Sequence, residues 1–337
     1  MQRRGLLAGF LALPGLSGRG ADAVHPVSLT SSGPMQSTAD GQVIENQDIT
    51  APSGDALTIR HRGVTVRNCR IRHTSGHGLH GDGAQGLVVE NIDVERVGRV
   101  PRSMNSARYC NNINLTHCRG ATLRRVKATA GSSNVYIEFS ENCRLNDLEL
   151  HDARGPYPRG QNVQFNESPR SVLENFSGEN GPTSWTEDNV SVFRSDKCRV
   201  RQGLVFYNNS PTGDGVMLEG SSDCVVEDVD AVQQGNGAFA AVPVDDIASG
   251  GCVFRRCRTR ATYNSRRDGR ARPDSNGLSF YMIISDGAPK HSIIDCHYDH
   301  LANPYNLIWD ARAVNDGWSF TAMGFTPRKP VRLHFSW

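Results

Sequence analysis

Histidine, tyrosine and two carboxylates stand at alternating positions in two short segments of this chain. His80 and Asp82 are separated by one residue, as are Tyr136 and Glu138. Because successive side chains of a β-strand point to opposite faces, each pair projects from one face of an extended segment. Histidine and tyrosine can take up or donate a proton, and the carboxylates can orient them or hold a cation. These four residues are the predicted catalytic set.

A repeated pattern of apolar and polar residues indicates which elements position these side chains. The motif ends in an apolar anchor followed by a polar pair, as in Val88-Val89-Glu90-Asn91 and Val225-Val226-Glu227-Asp228. The anchors are Ile44, Val66, Val89, Leu123, Leu145, Leu173, Val200, Val226, Phe254, Ile294 and Phe320. Most intervals are 22 to 28 residues, and two longer ones, of 34 and 40, hold loop insertions. A period of this length predicts a solenoid of stacked repeats.

Each repeat contains three short segments in which apolar and polar residues alternate. The first segment points inward at the anchor and two residues before it, and the second points inward three and five residues after it. The third segment follows a variable loop. We therefore predict three parallel strands per turn, with Leu145, Leu173 and Val200 stacked in one interior column.

This arrangement resembles the pectate-lyase-like superfamily of right-handed parallel β-helices. The resemblance covers residues 40–325 and rests on the three-strand rung and on the turn after the anchor strand, which carries Asn46, Asn68, Asn91 and Asn175. It implies an all-β, single-stranded right-handed parallel β-helix of about 10 to 11 rungs. Leucine-rich repeats have a similar period, but their consensus and helical stretch are missing here. The resemblance is one of fold and identifies no single enzyme family.

The domain organisation is expected to be simple, because no Pro-rich linker divides the 337 residues. Arg3-Arg4, an apolar run and the small-x-small site Ala21-Asp22-Ala23 predict a signal peptide, either twin-arginine or ordinary. The run is too short to span a bilayer, so we expect export to the periplasm or the exterior without a membrane span. The expected parts are the signal peptide 1–23, a lead-in 24–40, the β-helix 41–326 and a tail 327–337.

Composition and cysteine placement bear on the type of secondary structure, on nucleic-acid binding and on disulfides. A hydrophobic fraction of 37% with 34 glycines favours strands and turns, and a net charge of +2 does not suggest a nucleic-acid binder. Nine cysteines in an exported chain first suggest disulfides. The register instead places Cys143, Cys198, Cys224 and Cys252 in one inward column, where thiols pack as small apolar groups. Cys110 and Cys118, which flank one strand, are the best disulfide candidates.

In the superfamily that the fold resembles, substrate lies along the outer face of the strand that follows the variable loop. Beside the catalytic set, that face carries Asn114, Gln164 and Asn166, which we expect to contact substrate. The adjoining loops are rich in arginine, including Arg154 and Arg159, and the guanidinium fork matches a carboxylate in two-point contacts. The predicted partner of this monomer is therefore a polysaccharide, and an anionic one.

Three functions remain open at this point. A lyase or C5-epimerase acting on a uronate glycan is favoured, with His80 and Tyr136, about 10 Å apart across two rungs, as acid and base. Glycoside hydrolysis needs two carboxylates, for which Asp82 with Glu138 or Asp214 with Glu219 are candidates. A non-catalytic glycan-binding scaffold is the third. Gly76-His77-Gly78 resembles a polygalacturonase motif, but the segments that should accompany it are missing. No metal ligand is assigned, and calcium is the one cofactor left open.

Overall fold

The protein is a right-handed parallel β-solenoid of about 10 turns, which confirms the predicted fold class. The computed structural model describes residues 27–98, 109–155, 160–182, 184, 186–208, 210, 212–263, 276–305 and 307–337. A short 3₁₀ helix spans Ala311–Ala313. None of the described helices is long and apolar enough to cross a membrane. The predicted signal peptide lies outside the described residues.

The strands form two parallel sheets, here named sheet A and sheet B. Sheet A contains β1 (Thr30–Ser32), β3 (Val43–Glu45), β4 (Gln47–Ala51), β6 (Thr65–His73), β8 (Val88–Arg96), β10 (Thr122–Thr129), β12 (Arg144–His151), β14 (Val172–Glu179), β16 (Arg199–Phe206), β18 (Val225–Val232), β20 (Val253–Arg255), β21 (Arg258–Arg260), β23 (Ser292–Ile294), β24 (Cys296–Asp299) and β25 (Phe320–Ala322). Sheet B contains β2 (Met35–Gln36), β5 (Leu57–Ile59), β7 (Leu79–Asp82), β9 (Ile113–Thr116), β11 (Val135–Glu138), β13 (Val163–Asn166), β15 (Val190–Phe193), β17 (Asp214–Glu219), β19 (Gly237–Val242) and β22 (Leu278–Met282).

The first two predicted strands of each turn are joined in most rungs into one continuous strand of sheet A. A single residue in the left-handed region bends each of these strands, for example Asn68 (φ 52°), Asn91 (φ 54°) and Asn175 (φ 49°). Asparagine adopts this conformation at lower cost than most residues. The three predicted segments therefore form two hydrogen-bonded sheets instead of three. The third segment alone makes sheet B.

The predicted interior column is present, with two corrections near its end. Leu145 pairs with Leu173, and Leu173 pairs with Val200. After the long insertion, however, Phe254 pairs with Ile293, so Ile294 is not the anchor. Phe320 pairs with Cys296, which belongs to the column of the second segment. Insertions change the spacing between equivalent residues, so only the strand pairing between rungs identifies the true anchor of each rung.

The interior combines apolar columns with stacked polar columns. A ladder of buried amides precedes the strands of sheet B: Asn112 donates to Asn134 at 2.7 Å, Asn134 to Asn162 at 2.7 Å, and Asn162 to Asn189 at 2.9 Å. After the same strands, Ser140, Ser168, Ser195 and Ser221 stack, each hydroxyl accepting from the preceding rung's main-chain N–H. Each polar group is thus satisfied by its counterpart one rung away.

The cysteines also stack in interior columns from one rung to the next. Cys143, Cys198, Cys224 and Cys252 are buried in the expected column, and Cys69, Cys257 and Cys296 lie in the second one. All nine cysteines are free in the structure, including Cys110 and Cys118, the pair considered for a disulfide. Burial raises the pKa of Cys143 to about 12, which keeps that thiol protonated and unreactive.

The C-terminal residues run back across the outer face of sheet A. Arg328 donates its main-chain N–H to Asp230, and Leu333 donates to Glu149, at 2.6 Å each. Arg332 forms a two-point ion pair with Glu179. Close to the chain end, the Ser336 carbonyl accepts from Val27 at 2.6 Å. This segment therefore connects late rungs to the beginning of the described solenoid.

The amide ladder is expected to be a main source of stability. In Asn162→Ala, an N–H of Asn134 loses its acceptor in a buried site, which costs roughly 1–3 kcal/mol, and a cavity adds to that loss. Urea unfolding measures the difference. The control is Asn315→Ala, an exposed position that should change stability by less than about 0.5 kcal/mol. Equal effects of the two substitutions would contradict a structural role for the ladder.

Reducing agent should leave the melting temperature of the folded protein almost unchanged, because every cysteine is free and buried. The measurement is a pair of thermal melts with and without dithiothreitol. A drop of several degrees on reduction would instead reveal a disulfide, with Cys110 and Cys118 as the first pair to examine by mass spectrometry.

Candidate active site

A groove of about 580 Å³ runs along the outer face of sheet B. Its lining comes from the outward positions of β9 to β17 and from residues that precede these strands: His77, Tyr109, Asn111, Asn114, Ser133, Tyr136, Glu138, Gly160, Gln161, Gln164, Asn166, Glu187, Asp188, Ser191, Phe193 and Glu219. The structure brings five of the sequence-predicted site residues together here, namely Asn114, Tyr136, Glu138, Gln164 and Asn166. The groove thus lies on the face that the repeat pattern indicated.

The middle of the groove is organised around Tyr136. Its hydroxyl donates to the Glu138 carboxylate at 3.2 Å and accepts from the Asn166 amide at 2.7 Å. Asn166 also donates to Glu138 at 3.0 Å. This triangle holds a phenol and a carboxylate in fixed positions across two neighbouring strands, since Glu138 and Asn166 pair in register. Glu138 thus contacts Tyr136, the residue that it was expected to orient.

His80 has a different partner from the one expected. Its Nδ1 lies 2.6 Å from a carboxylate oxygen of Asp55, a residue of the preceding rung. Asp82, predicted to orient it, is exposed at the end of β7. Neither His80 nor Asp82 lines the groove, although the His80 ring lies 5.0 Å from that of His77, which does. The predicted four-residue catalytic set is therefore divided, with Tyr136 and Glu138 in the groove and His80 beyond its end.

The histidine end of the groove has well-defined protonation states. The main-chain N–H of Asn111 donates to Nδ1 of His77 at 3.1 Å, so the ring carries its proton on Nε2. Burial lowers the pKa of His77 to about 4. Hydrogen bonds from His80 and from the main chain of His77 lower the pKa of Asp55 to about 2, against the opposing effect of burial. At neutral pH, His77 is a neutral donor beside an ionised Asp55.

The predicted arginine contacts are not found among the described lining residues, none of which is an arginine or a lysine. Arg154 is half-buried near Arg96, whose pKa is lowered by burial and further by the charge of Arg154. Arg159 lies outside the described residues. The charged groups that line the described groove are instead carboxylates, Glu138, Glu187, Asp188 and Glu219.

Two carboxylates at the end of the groove formed by β15 and β17 are almost fully buried. Asp188 is 4% exposed and Asp214, one rung further, is 0% exposed. The main-chain N–H of Asp214 donates to Asp188 at 2.6 Å, and Asn236 lies 3.5 Å from one oxygen of Asp214. The other oxygen of Asp214 has no partner among the described atoms. A buried oxygen without a donor nearby favours the protonated form of its carboxyl group.

The carboxylates raise one another's pKa. Burial raises the pKa of Asp188 well above its usual range, and the charges of Glu187 and Asp214 raise it further. Burial has the same effect on the pKa of Asp214. The pKa of Glu219 is also raised, by burial and by Asp245, while Arg194 opposes the shift. The pKa of all three carboxyl groups is thus raised, and groups whose pKa is shifted in this way are common at functional sites.

The described residues contain no group of three or more histidine, cysteine or acidic side chains arranged to hold a metal ion. Asp82 and Glu138, which were considered as cation ligands, lie two rungs apart on β7 and β11.

Several groove residues were missed because they precede the strands of sheet B. The position two residues before the first inward residue of each strand is polar in successive rungs, and reads Asp55, His77, Asn111, Ser133, Gln161, Asp188 and Asp214. These residues end variable loops, where the repeat is weakest. Extending the alternation two residues backward from each strand would have found the column.

No protein-family model matches this chain, and no curated protein matches it by sequence. Solved structures do resemble it in fold. It is similar to the Dettilon tailspike protein, with a TM-score of 0.62 and 9% identity over 87% of this chain and 61% of that one. The chain thus spans less than two thirds of the tailspike.

Two further similar structures are a mannuronan C-5 epimerase A-module from Azotobacter vinelandii and the catalytic domain of an alpha-1,3-glucanase with bound tetrasaccharides. The epimerase module gives a TM-score of 0.50 with 13% identity, covering 90% of this chain and 80% of that one. The glucanase gives 0.50 and 9%, covering 94% and 70%. At these identities the likeness is one of fold, and it confirms the expected resemblance to right-handed β-helices at that level.

The low pKa of His77 predicts a specific pH dependence of stability. The unfolded chain takes up this proton near pH 6.5 and the folded protein only near pH 4, so stability falls as the pH is lowered between those values. The full loss is about 3 kcal/mol. Urea unfolding at pH 7, 5.5 and 4 should show this slope in the wild type and a shallower one in His77→Gln. Identical slopes would show that His77 is not held neutral.

Proposed function

We propose that this protein acts on a polysaccharide bound in the groove of sheet B. A groove lined by fixed polar side chains over several rungs suits a chain of sugar rings, which offers hydroxyl groups along its length. Fold similarity to an epimerase module, a tailspike and a glucanase with bound tetrasaccharides is in keeping with this proposal. The side chains of the groove, more than the fold, decide between chemistries.

Glycoside hydrolysis is the chemistry that the geometry supports best. The observation that carries it is the cluster of interacting carboxyl groups at one end of the groove. Most glycoside hydrolases use one protonated carboxyl group to protonate the leaving oxygen and one carboxylate as base or nucleophile. We assign the proton donor to Asp188, because burial and neighbouring charges raise its pKa. We assign the role of base or nucleophile to Glu219, which lines the same groove and whose raised pKa is opposed by Arg194.

A lyase or C5-epimerase acting on a uronate glycan is the second candidate, and the ordered pair of His80 and Asp55 favours it. A carboxylate on Nδ1 leaves Nε2 of His80 as a proton acceptor, the arrangement of a general base. Tyr136 lies two rungs away in the same outward column. An anionic substrate would need cationic partners, and the arginines of residues 156–159 and 264–275 lie outside the described part of the chain.

Export of the protein remains a proposal that rests on its first 23 residues. A test is to fuse residues 1–30 to a reporter protein that is active only outside the cytoplasm. Replacing Arg3-Arg4 by Lys-Lys would then separate the two predicted routes, because only the twin-arginine route depends strictly on that pair.

One set of assays separates the functions. The purified protein is incubated with neutral glucans, mannans and chitosaccharides and with polymannuronate, polyguluronate and polygalacturonate. New reducing ends without ultraviolet absorbance indicate hydrolysis, and absorbance of an unsaturated uronate indicates a lyase. A changed C5 configuration in the proton NMR spectrum, without chain cleavage, indicates an epimerase. Binding without any product would leave a glycan-binding scaffold.

Removing the two assigned carboxyl groups should abolish hydrolysis without unfolding the protein. Asp188→Asn and Glu219→Gln should each lower kcat by roughly 10²- to 10⁴-fold, the contribution of a positioned acid or base. The wild type should lose activity as the pH rises and Asp188 deprotonates, and that alkaline limb should disappear in Asp188→Asn. Glu95→Gln, at a half-exposed position of sheet A far from the groove lining, is the matched control. Near-normal turnover in Asp188→Asn would refute the assignment.

A further inference from the structure

The outward column that forms the floor of the groove continues beyond its carboxylate end. In register, Ser191 pairs with Met217, Met217 with Ala240, and Ala240 with Tyr281. One rung further, Ile308 bridges to Phe280, and the main-chain N–H of Trp309 donates to the Phe280 carbonyl at 3.0 Å. Trp309 therefore follows Tyr281 in the same column. The floor changes from polar to apolar and then to aromatic.

The last two members of this column form a pair of rings. The centroids of Tyr281 and Trp309 lie 5.9 Å apart with an angle of 53° between their planes. Trp309 is 51% exposed, which is unusual for the largest apolar side chain. Met217 and Ala240, between these rings and the groove, are buried in a small apolar cluster on the outer face, against which Tyr281 packs. Exposed aromatic rings supported by a packed base mark a binding surface.

The ring pair adjoins the carboxyl cluster. Gly237 separates them, and a side chain there would collide with a carboxylate oxygen of Asp214 and approach Cβ of Tyr281 to 3.5 Å. Burial raises the pKa of Tyr281, and the charge of Asp214 raises it further. From the rung of Glu219 to that of Trp309 there are three steps, about 14 Å. One extended ligand along the column can therefore contact both the carboxyl cluster and the ring pair.

We propose that Tyr281 and Trp309 form a carbohydrate-stacking subsite for the glycan that occupies the groove. The negatively charged face of an aromatic ring attracts the weakly positive C–H groups of a sugar ring, and the contact buries apolar surface on both. This inference rests on the proposed function, because the groove supplies the continuity that identifies the ligand. The subsite makes long chains bind more tightly than short ones, because a short oligosaccharide bound at the carboxylates does not reach Trp309.

The test uses binding as well as turnover, so that it does not depend on the chemistry. Affinity electrophoresis in gels containing each polymer of the panel, and titration calorimetry with oligosaccharides of increasing length, are run on the full-length protein. Trp309→Ala and Tyr281→Ala should weaken binding of polymers and long oligosaccharides roughly tenfold or more, as expected when burial of a large apolar side chain is lost. Binding of the shortest ligands should remain unchanged, and Trp309→Phe should retain most of the affinity.

The control is Trp318→Ala, another exposed tryptophan, which precedes β25 of sheet A. It should bind every glycan as the wild type does. The subsite is refuted if Trp309→Ala and Tyr281→Ala bind long ligands normally, or if the wild type binds no glycan of the panel. A selective loss of long-chain binding without any cleavage would reject the hydrolase and keep the subsite. Loss of cleavage in Asp188→Asn together with normal long-chain binding in Trp309→Ala would keep the hydrolase and reject the subsite.

Discussion

Stacking in register is the constraint on which this molecule depends. Parallel strands place each residue about 4.8 Å from its counterpart in the next rung, so every side chain has a neighbour at the equivalent position. A buried amide is tolerated only if that neighbour can complete its hydrogen bonds. Asn134 and Asn162 meet this condition inside the solenoid, as Ser168 and Ser195 do. The polar columns of the interior are therefore consequences of stacking, and they restrict which residues a rung can carry.

The same constraint creates the chemistry of the outer face. Asp188 and Asp214 lie on consecutive rungs and cannot move apart without breaking the pairing of β15 with β17. Burial is the main reason that the pKa of each is raised, and the charge of Asp214 raises the pKa of Asp188 further. Two such groups on flexible loops could move apart, whereas the paired strands of a solenoid hold them in place. Proton donors thus arise from the repeat itself when acidic residues recur at one outward position.

The sequence predicted the fold well because burial repeats with the rung, as Leu145, Leu173 and Val200 show. Its prediction was less accurate where the repeat is interrupted. Phe320 was assigned to the wrong column because long insertions hide the phase. Asp55 was missed as the partner of His80 because it lies 25 residues earlier in the chain, although it is only one rung away. Contacts between the ends of variable loops depend on loop paths that alternation does not encode.

The charge of the groove also bears on what it can hold. A polyuronate in the described groove would bring its carboxylates beside Glu138, Asp188 and Glu219. Like charges about 4 Å apart repel by roughly 1 kcal/mol in bulk water and about 4 kcal/mol at the effective dielectric of a protein surface. A protonated Asp188 removes only part of this repulsion. Neutral sugars avoid it, and their hydroxyl groups can donate to the same carboxylates. If the groove binds a glycan as proposed, its described carboxylates are more compatible with a neutral chain than with an acidic one.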